Sequence, residues 1–464
     1  MGVMRRGGAY AGIVVLGVLA GAAFACQPLW TVGALAAASF VAITLHRFAW
    51  GVALWVPSFF VAGDPRGKAL LMAGFVVCSL VWVADVLARR RAVLAGLGRF
   101  RPWLLAVPAF AVWLVVTLAW AQDPPAAIDE EWRWMLAIEV FMIVLTGVTR
   151  AADMLLVLVA WVAGAAVAAA SALLSFQSGG QLGASNTLDD RLAGAAGDPN
   201  YLASRLIAGM ILVFGLLRVV RSRTGRVLLV LTLPLLGAAT AGTGSRGGLL
   251  AVVLAGVVAL VVFRHKARVV LIPALAVLAS GALWFALFPQ FWLRVTEFDD
   301  GGSGRSDLWR AATRLASGHP AAGIGLGNFP SREAALALDI GPVLDARALA
   351  EDRRVVHNTY LQLWTETGAI GLALFLIIVG GCVWCCLRAA RTYDRLGQAR
   401  LADLSRVVVV AVAAFAGSAM FISMGRAYEF WVLFALGPVL LAVAHARTAT
   451  AAPRPNEVAR EPAR

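Results

Sequence analysis

The stretch "VVHNTYLQLWTETGAIG", which begins at Val355, places one imidazole and one carboxamide, His357 and Asn358, at the mouth of an apolar run. Histidine, with an ordinary pKa near 6.5, is the side chain best suited to take a proton at neutral pH. As a positioned base it contributes roughly 10²- to 10⁴-fold in rate. Alone, His357 reads first as an interfacial residue capping a helix. Three arginines change that reading. Arg246 stands in "GTGSRGGLLA", flanked by glycines that let a ligand approach the backbone; Arg305 stands in "GRSDLW"; Arg191 stands in "DDRLAGAAGDPN", just before an apolar segment. A cation near a membrane face is paired or functional. Each arginine alone fits a structural salt bridge equally well, but several converging would hold a pyrophosphate through charge-assisted forks.

These residues need a scaffold, and the composition says which. The 464-residue chain is 61% hydrophobic and 14% charged, against about 25% charged in soluble domains, and its mean hydropathy is +0.81. It reads as an integral membrane protein, since a bilayer core of roughly 30 Å asks for about 17–25 apolar residues per helix. Apolar segments run over 9–25, 30–45, 48–63, 69–87, 103–121, 134–149, 152–175, 199–218, 227–244, 247–263, 269–288, 360–387, 407–424 and 428–447. These fourteen predict an all-α, polytopic transmembrane helical bundle of about 12 spans, the early segments being short. Basic clusters at Arg89–Arg91, Arg150, Arg218–Arg226, Arg264–Arg268, Arg388–Arg400 and Arg447 fall on alternate loops, which puts both termini in the cytoplasm. The net charge of +14 is thus a matter of orientation, and nucleic acid is set aside.

The chain divides into a first part of the bundle over 1–288, one large extracytoplasmic loop domain over 289–359, a last part of the bundle over 360–447, and a disordered cytoplasmic tail over 448–464. The loop is expected to be ordered: it contains Trp292, Trp309 and Phe329, and a Ser/Gly stretch leads into a helix that ends before the His319–Pro320 turn. Opposite the basic clusters lie "DPPAAIDEEWR", read as a loop from Asp123, and the loop 177–198. Arg5, Arg6 and "AFAC" mimic a signal peptide, but a retained first helix fits a chain with so many later spans.

The remaining polar groups have plainer readings. Cys382 and Cys385 form a CxxC inside an apolar helix end, read as neither metal nor redox site, and the absence of cysteine from the long loop argues against a disulfide framework. Asp299 and Asp300, and Asp129 with Glu130 and Glu131, read as solvated acids, so no metal site and no cofactor are expected. Glu366 is expected to pair with an arginine from another span, His319 to stabilise a turn, and His46, His265 and His445 to sit at cytoplasmic helix ends. His357, Leu361, Trp364, Gly368 and Gly371 are spaced to share one helix face.

"HNTYLQLWTETGAIG" resembles the motif of the O-antigen ligase and O-antigen polymerase superfamily: a histidine, then Asn/Ser/Gln, nine residues, and Gly-x-x-Gly. Arg246 in "GSRGG" and Arg305 in "GRSDLW" match its two functional arginine positions, while "DPN" at Asp198–Asn200 and "HPAAGIGLGNF" from His319 are similar to supporting patterns. The likeness covers roughly 190–375 in detail. It implies an inverting, metal-independent glycosyltransferase that moves a glycan from undecaprenyl pyrophosphate to the lipid A-core oligosaccharide at the periplasmic face of a bacterial inner membrane. His357 would be the catalytic base, Arg246, Arg305 and Arg191 would hold the pyrophosphate, and Asn358, Asn200, Gly368 and Gly371 would support them. Alternatives left open are a polysaccharide polymerase, a protein O-oligosaccharyltransferase and, from another class, a lipid-linked glycan transporter. A transporter predicts charges across the full depth of the bundle, whereas here they cluster at one surface.

Overall fold

Without water, a backbone must satisfy its hydrogen bonds internally, so long apolar runs fold as helices. The computed structural model describes residues 28–89, 101–177, 187–188, 191–266, single positions between 268 and 289, 305–329 and 355–451. Its helices are α1 (Pro28–His46), α2 (Phe48–Trp55, continued by a 3-10 turn, Val56–Val61), α3 (Pro65–Ala88), α4 (Ala106–Thr117), α5 (Pro124–Gly147), α6 (Ala151–Gln177) and α7 (Pro199–Val219). They continue with α8 (Arg223–Gly242), α9 (Arg246–Val262), α10 (Arg305–Gly318), α11 (Thr359–Arg395), α12 (Ala399–Ser418) and α13 (Tyr428–Ala451). Among the described residues α3, α6, α7, α8, α11, α12 and α13 are long and apolar enough to cross a membrane, and shorter apolar helices include Phe48–Val61, Ala106–Trp120 and Arg246–Val262. The chain is an all-α membrane protein. One small ribbon departs from that reading: β1 (Thr187–Leu188) pairs antiparallel with β2 (Arg191–Leu192). The segment 9–25, most of 269–288, Trp292, Asp299, Asp300 and residues 452–464 lie outside the described residues.

Burial sorts the helices into centre and rim. In α12 and α13, 83% of the apolar stretch is buried; in α3 and α8 the figure is 22%. The two central helices are therefore covered by neighbours, α12 by α7, α9 and α11, and α13 by α5 and α11. Rim helices turn Val227, Leu228, Val230 and Leu231 outward, as a lipid-facing surface requires.

One dipeptide starts three helices at the same end of the bundle. Asp64-Pro65, Asp123-Pro124 and Asp198-Pro199 each supply a capping carboxylate and a proline whose missing N–H costs nothing at the first helical position. Asp123 Oδ1 accepts from the N–H of Ala126 (3.1 Å), and Asp198 Oδ1 from those of Asn200 (2.7 Å) and Tyr201 (3.2 Å). This corrects the loop expected at "DPPAAIDEEWR", which is the opening of α5. The predicted segment 407–424 is likewise displaced, because α12 begins at Ala399. Its early turns carry Asp403, buried but neutralised by Lys266 (2.6 Å), Arg218 (3.1 Å) and Arg406 (3.6 Å) at the end opposite the Asp-Pro caps. His46, the last residue of α1, and His265, just after α9, also sit at that end.

Candidate active site

The histidine motif is built around a broken helix. Asn358, not His357, caps α11, its Oδ1 accepting from the N–H groups of Tyr360 and Leu361 at 3.0 Å each. His357 precedes the cap, half-buried, with a left-handed backbone (φ 53°). Such a conformation is uncommon for a residue with a Cβ and costs on the order of 1–3 kcal/mol, typically at functional positions. Eleven residues on, Gly368 leaves the helical region altogether (φ 68°, ψ −175°). The expected single face from His357 to Gly371 is therefore corrected: the helical register stops at Gly368.

The segment 320–325 fills the gap. Ile324 and Gly325 donate to the carbonyls of Thr365 and Glu366 (2.9 Å each), and Trp113 Nε1 donates to that of Thr367 (2.8 Å). On the other side of the break, the N–H of Ala369 reaches Pro320 O (2.8 Å) and that of Ile370 reaches Ala321 O (3.3 Å). The groups that a helix end orphans are thus paired. Two backbones pass so closely here that a Cβ at Gly368 would lie 2.0 Å from Ala321 O, and one at Gly323 would lie 2.4 Å from the Glu366 carbonyl carbon. Gly371 is packed against Thr367 and Trp113. Above the plug, α10 closes a small core of Leu308, Ala312, Leu315, Ile324, Phe329 and Val356, and Thr365 Oγ1 donates to Ala312 O (3.1 Å). The predicted helix and its His319–Pro320 stop are both present, with His319 acting through its backbone: its N–H bonds Leu315 O and its carbonyl accepts from Gly323. Asn328, fully buried, ties this unit to the start of α5 by accepting from the N–H groups of Gln122 (2.7 Å) and Asp123 (2.8 Å).

The arginines sit around the same end. Arg191, on β2, donates from Nε to Thr243 O (2.7 Å) and from Nη2 to Asn200 Oδ1 (3.4 Å). Asn200 Oδ1 also accepts from Ser245 Oγ (2.7 Å), the residue that caps α9. Arg246 follows it as the first, exposed residue of that helix. Asp198, beside Asn200, acts electrostatically on Arg305: burial pulls the Arg305 guanidinium below its ordinary pKa, and the Asp198 carboxylate opposes that shift.

Contacts close these residues into a ring. Trp309 lies one helical turn after Arg305 on α10, and its Nε1 donates to Val356 O (3.1 Å), next to His357. Its ring faces Phe421 at 6.3 Å, and Phe421 packs against Gly247, where a Cβ would come within 3.0 Å of it. Gly247 leads back through Arg246 and Ser245 to Asn200 and Asp198, and so to Arg305. The structure therefore brings the turn carrying His357 and the segments carrying Arg191 and Arg246 to one end of the bundle, together with α10 and its Arg305.

Sequence reasoning missed several polar partners. Among the described residues Glu366 is not paired with an arginine from another span as expected; its carboxylate accepts from the backbone N–H groups of Gly327 and Phe329 and from Gln362 Nε2 (3.4 Å). Glu130 is not a solvated acid either, since Arg426 Nη1 contacts both its oxygens at 2.7 Å. Glu131 is buried, and only Asp129 remains largely exposed, paired with Arg133. Arg205 and Glu429 form a buried pair (2.6 Å) between α7 and α13, with Arg205 stacked 4.2 Å over Tyr201. The signal was present: one cation and one anion, each inside an otherwise apolar run.

Comparison with known proteins adds one finding and one negative result. No curated protein matches the chain. Residues 227–376 match the family model described as O-Antigen ligase, a stretch that takes in α8, α9, α10 and the opening of α11 with Arg246, Arg305, His357, Gly368 and Gly371. Over that stretch, about a third of its length, the chain is similar to the O-antigen ligase family.

Proposed function

We propose that the protein is an inverting, metal-independent glycosyltransferase that moves O-antigen glycan from undecaprenyl pyrophosphate to the lipid A-core oligosaccharide. The observation that supports this most is the ring of contacts joining the His357 turn to Arg191, Arg246 and Arg305. In this reading His357 removes the proton of an acceptor hydroxyl, and the oxygen attacks the anomeric carbon opposite the pyrophosphate, inverting it. The bond to the pyrophosphate oxygen breaks, and Arg246, Arg305 and Arg191 stabilise the charge that gathers there, the term that dominates many enzymes. Asn358 holds the turn of the base, Asn200 holds Arg191, Gly368 admits the plug, and Gly371 lets Thr367 and Trp113 pack beside the break. The site faces the periplasm, both termini are cytoplasmic, and the chain partitions as bundle 1–288, loop domain 289–359, bundle 360–447 and tail 448–464.

Membranes of a His357→Ala strain provide the test. They are expected to lack polysaccharide-bearing lipopolysaccharide while lipid-linked polymer still accumulates outside. A strain that fails to form the polymer would indicate a polymerase instead, and one that fails to move it across the membrane would indicate a transporter.

A further inference from the structure

Beside the His357 turn, the same end of the bundle contains a cavity of about 140 Å³ whose wall includes Val355 and Thr359, one on each side of that histidine's chain segment. Its chemistry is mixed. Glu130 and Glu366 supply carboxylate acceptors, Arg426 and Gln362 supply donors, and Trp134 supplies an aromatic wall. Ser423 adds a hydroxyl whose oxygen is buried and has no hydrogen-bond partner among the described residues. A buried hydroxyl left unmet costs free energy, so this one marks a place where something else should bond. Volume limits the occupant: a cavity of about 150 Å³ takes one six-membered ring. Polarity limits it further, because two carboxylates, a guanidinium, an amide and a hydroxyl around one aromatic surface suit a ring bearing several hydroxyls on its edge and C–H groups on its face.

We infer that this cavity is a subsite for a single sugar ring of the acceptor, seated next to His357 by Ser423, Gln362 and Glu366. The assignment rests on the transferase reading above for the word acceptor, but the sugar-binding chemistry does not depend on it. Ser423, in the α12–α13 connection, lines this cavity, whereas Arg191, Arg246 and Arg305 are not among its described lining residues, so changes there should act on acceptor binding and not on the donor.

Two measurements on the full-length protein in detergent test the subsite. In saturation-transfer NMR with a panel of free hexoses and heptoses, the native protein should saturate the ring protons of at least one sugar, and Ser423→Leu, which fills the cavity, should reduce that signal at least about fivefold. In transfer kinetics, Ser423→Leu and Gln362→Leu should raise the acceptor KM about tenfold or more, the size expected for losing a buried hydrogen bond. Donor KM and kcat should stay within about twofold, and Ser423→Thr should restore the native acceptor KM. A melting temperature matching the native protein guards against misfolding, and Gln362→Leu serves if Ser423→Leu does not fold. The assignment is overturned if no sugar gives a signal, if the signal survives filling of the cavity, or if donor KM or kcat shifts instead. A native protein that binds sugar but transfers no lipid-linked glycan would sink the transferase reading and leave the subsite standing.

Discussion

Arg305 shows how much a single side chain can be asked to do. It is drawn out of water, which disfavours its charge, and Asp198 restores part of what burial removes. A planar guanidinium can grip two phosphate oxygens at once, while an ammonium acts as a point charge. Arg305→Lys is therefore expected to lower transfer by roughly ten- to a hundredfold, the loss of about 1.4–2.8 kcal/mol, with kcat falling more than acceptor KM rises in steady-state assays. If guanidinium groups alone neutralise the leaving diphosphate, chelation should be harmless; enzymes that hand this task to a divalent cation lose activity without it. Transfer by purified protein after EDTA treatment is expected to stay within about twofold of the untreated rate, and a collapse reversed by added Mg²⁺ or Mn²⁺ would reject metal independence. Residue types and order were enough to single out His357, Arg246, Arg305 and Arg191. Their partners were not legible, because whether Asn200 meets Ser245 or Trp309 meets Val356 depends on the packing of elements 45 or more residues apart in the chain.

At the scale of elements, the informative feature is the interruption of α11. A periodic pattern of apolar residues runs straight through Gly368, and nothing in that pattern announces a break, so the sequence reading continued the helix face to Gly371. Glycine itself was the signal, together with the "HPAAGIG" segment that supplies the missing hydrogen bonds; each half is meaningless without the other. Gly368→Ala would drive a Cβ into Ala321 O while imposing a left-handed backbone on a side chain. Overpacking and backbone strain each cost about 1–3 kcal/mol, so a fall of several degrees or more in melting temperature is expected, read by a thermal-shift assay in detergent. Ala373→Gly, on the continuous stretch beyond the break, should cost only about 1 kcal/mol. Helix starts were legible only in part. The start of α7 at Asp198-Pro199 was legible, whereas α5 was started ten residues too late because its first turns at Asp123-Pro124 are polar, and α12 too late because the cost of its Asp403 is offset by cations from three other positions.

For the molecule as a whole, charge is divided between two ends. The basic loops gather at one, with Asp403 and its three cations; the Asp-Pro caps, the plugged break and the arginine ring gather at the other. The positive-inside rule converts this asymmetry into an orientation. Cys78, Cys382, Cys385 and Cys386 are buried, so an introduced thiol can be read against a quiet background once Cys26 is replaced. A membrane-impermeant maleimide added to spheroplasts should label His319→Cys and spare Arg400→Cys; the reverse pattern would invert the proposed topology. Span number was the least legible quantity at this scale, because short apolar helices such as Ala106–Trp120 and Phe48–Val61 satisfy length criteria only marginally.

The plugged break also constrains how the chain can be made. Residues 320–325 leave the ribosome before Gly368 does, yet they provide partners for the carbonyls of Thr365 and Glu366 and the N–H groups of Ala369 and Ile370. Should α11 enter the bilayer first, those four groups would face hydrocarbon bare, at several kcal/mol apiece. In the proposed topology, translocation of the preceding loop would have to run ahead of the insertion of this helix, and a ribosome stalled between the two would hold a nascent chain with a docking segment in place and nothing yet to dock it to.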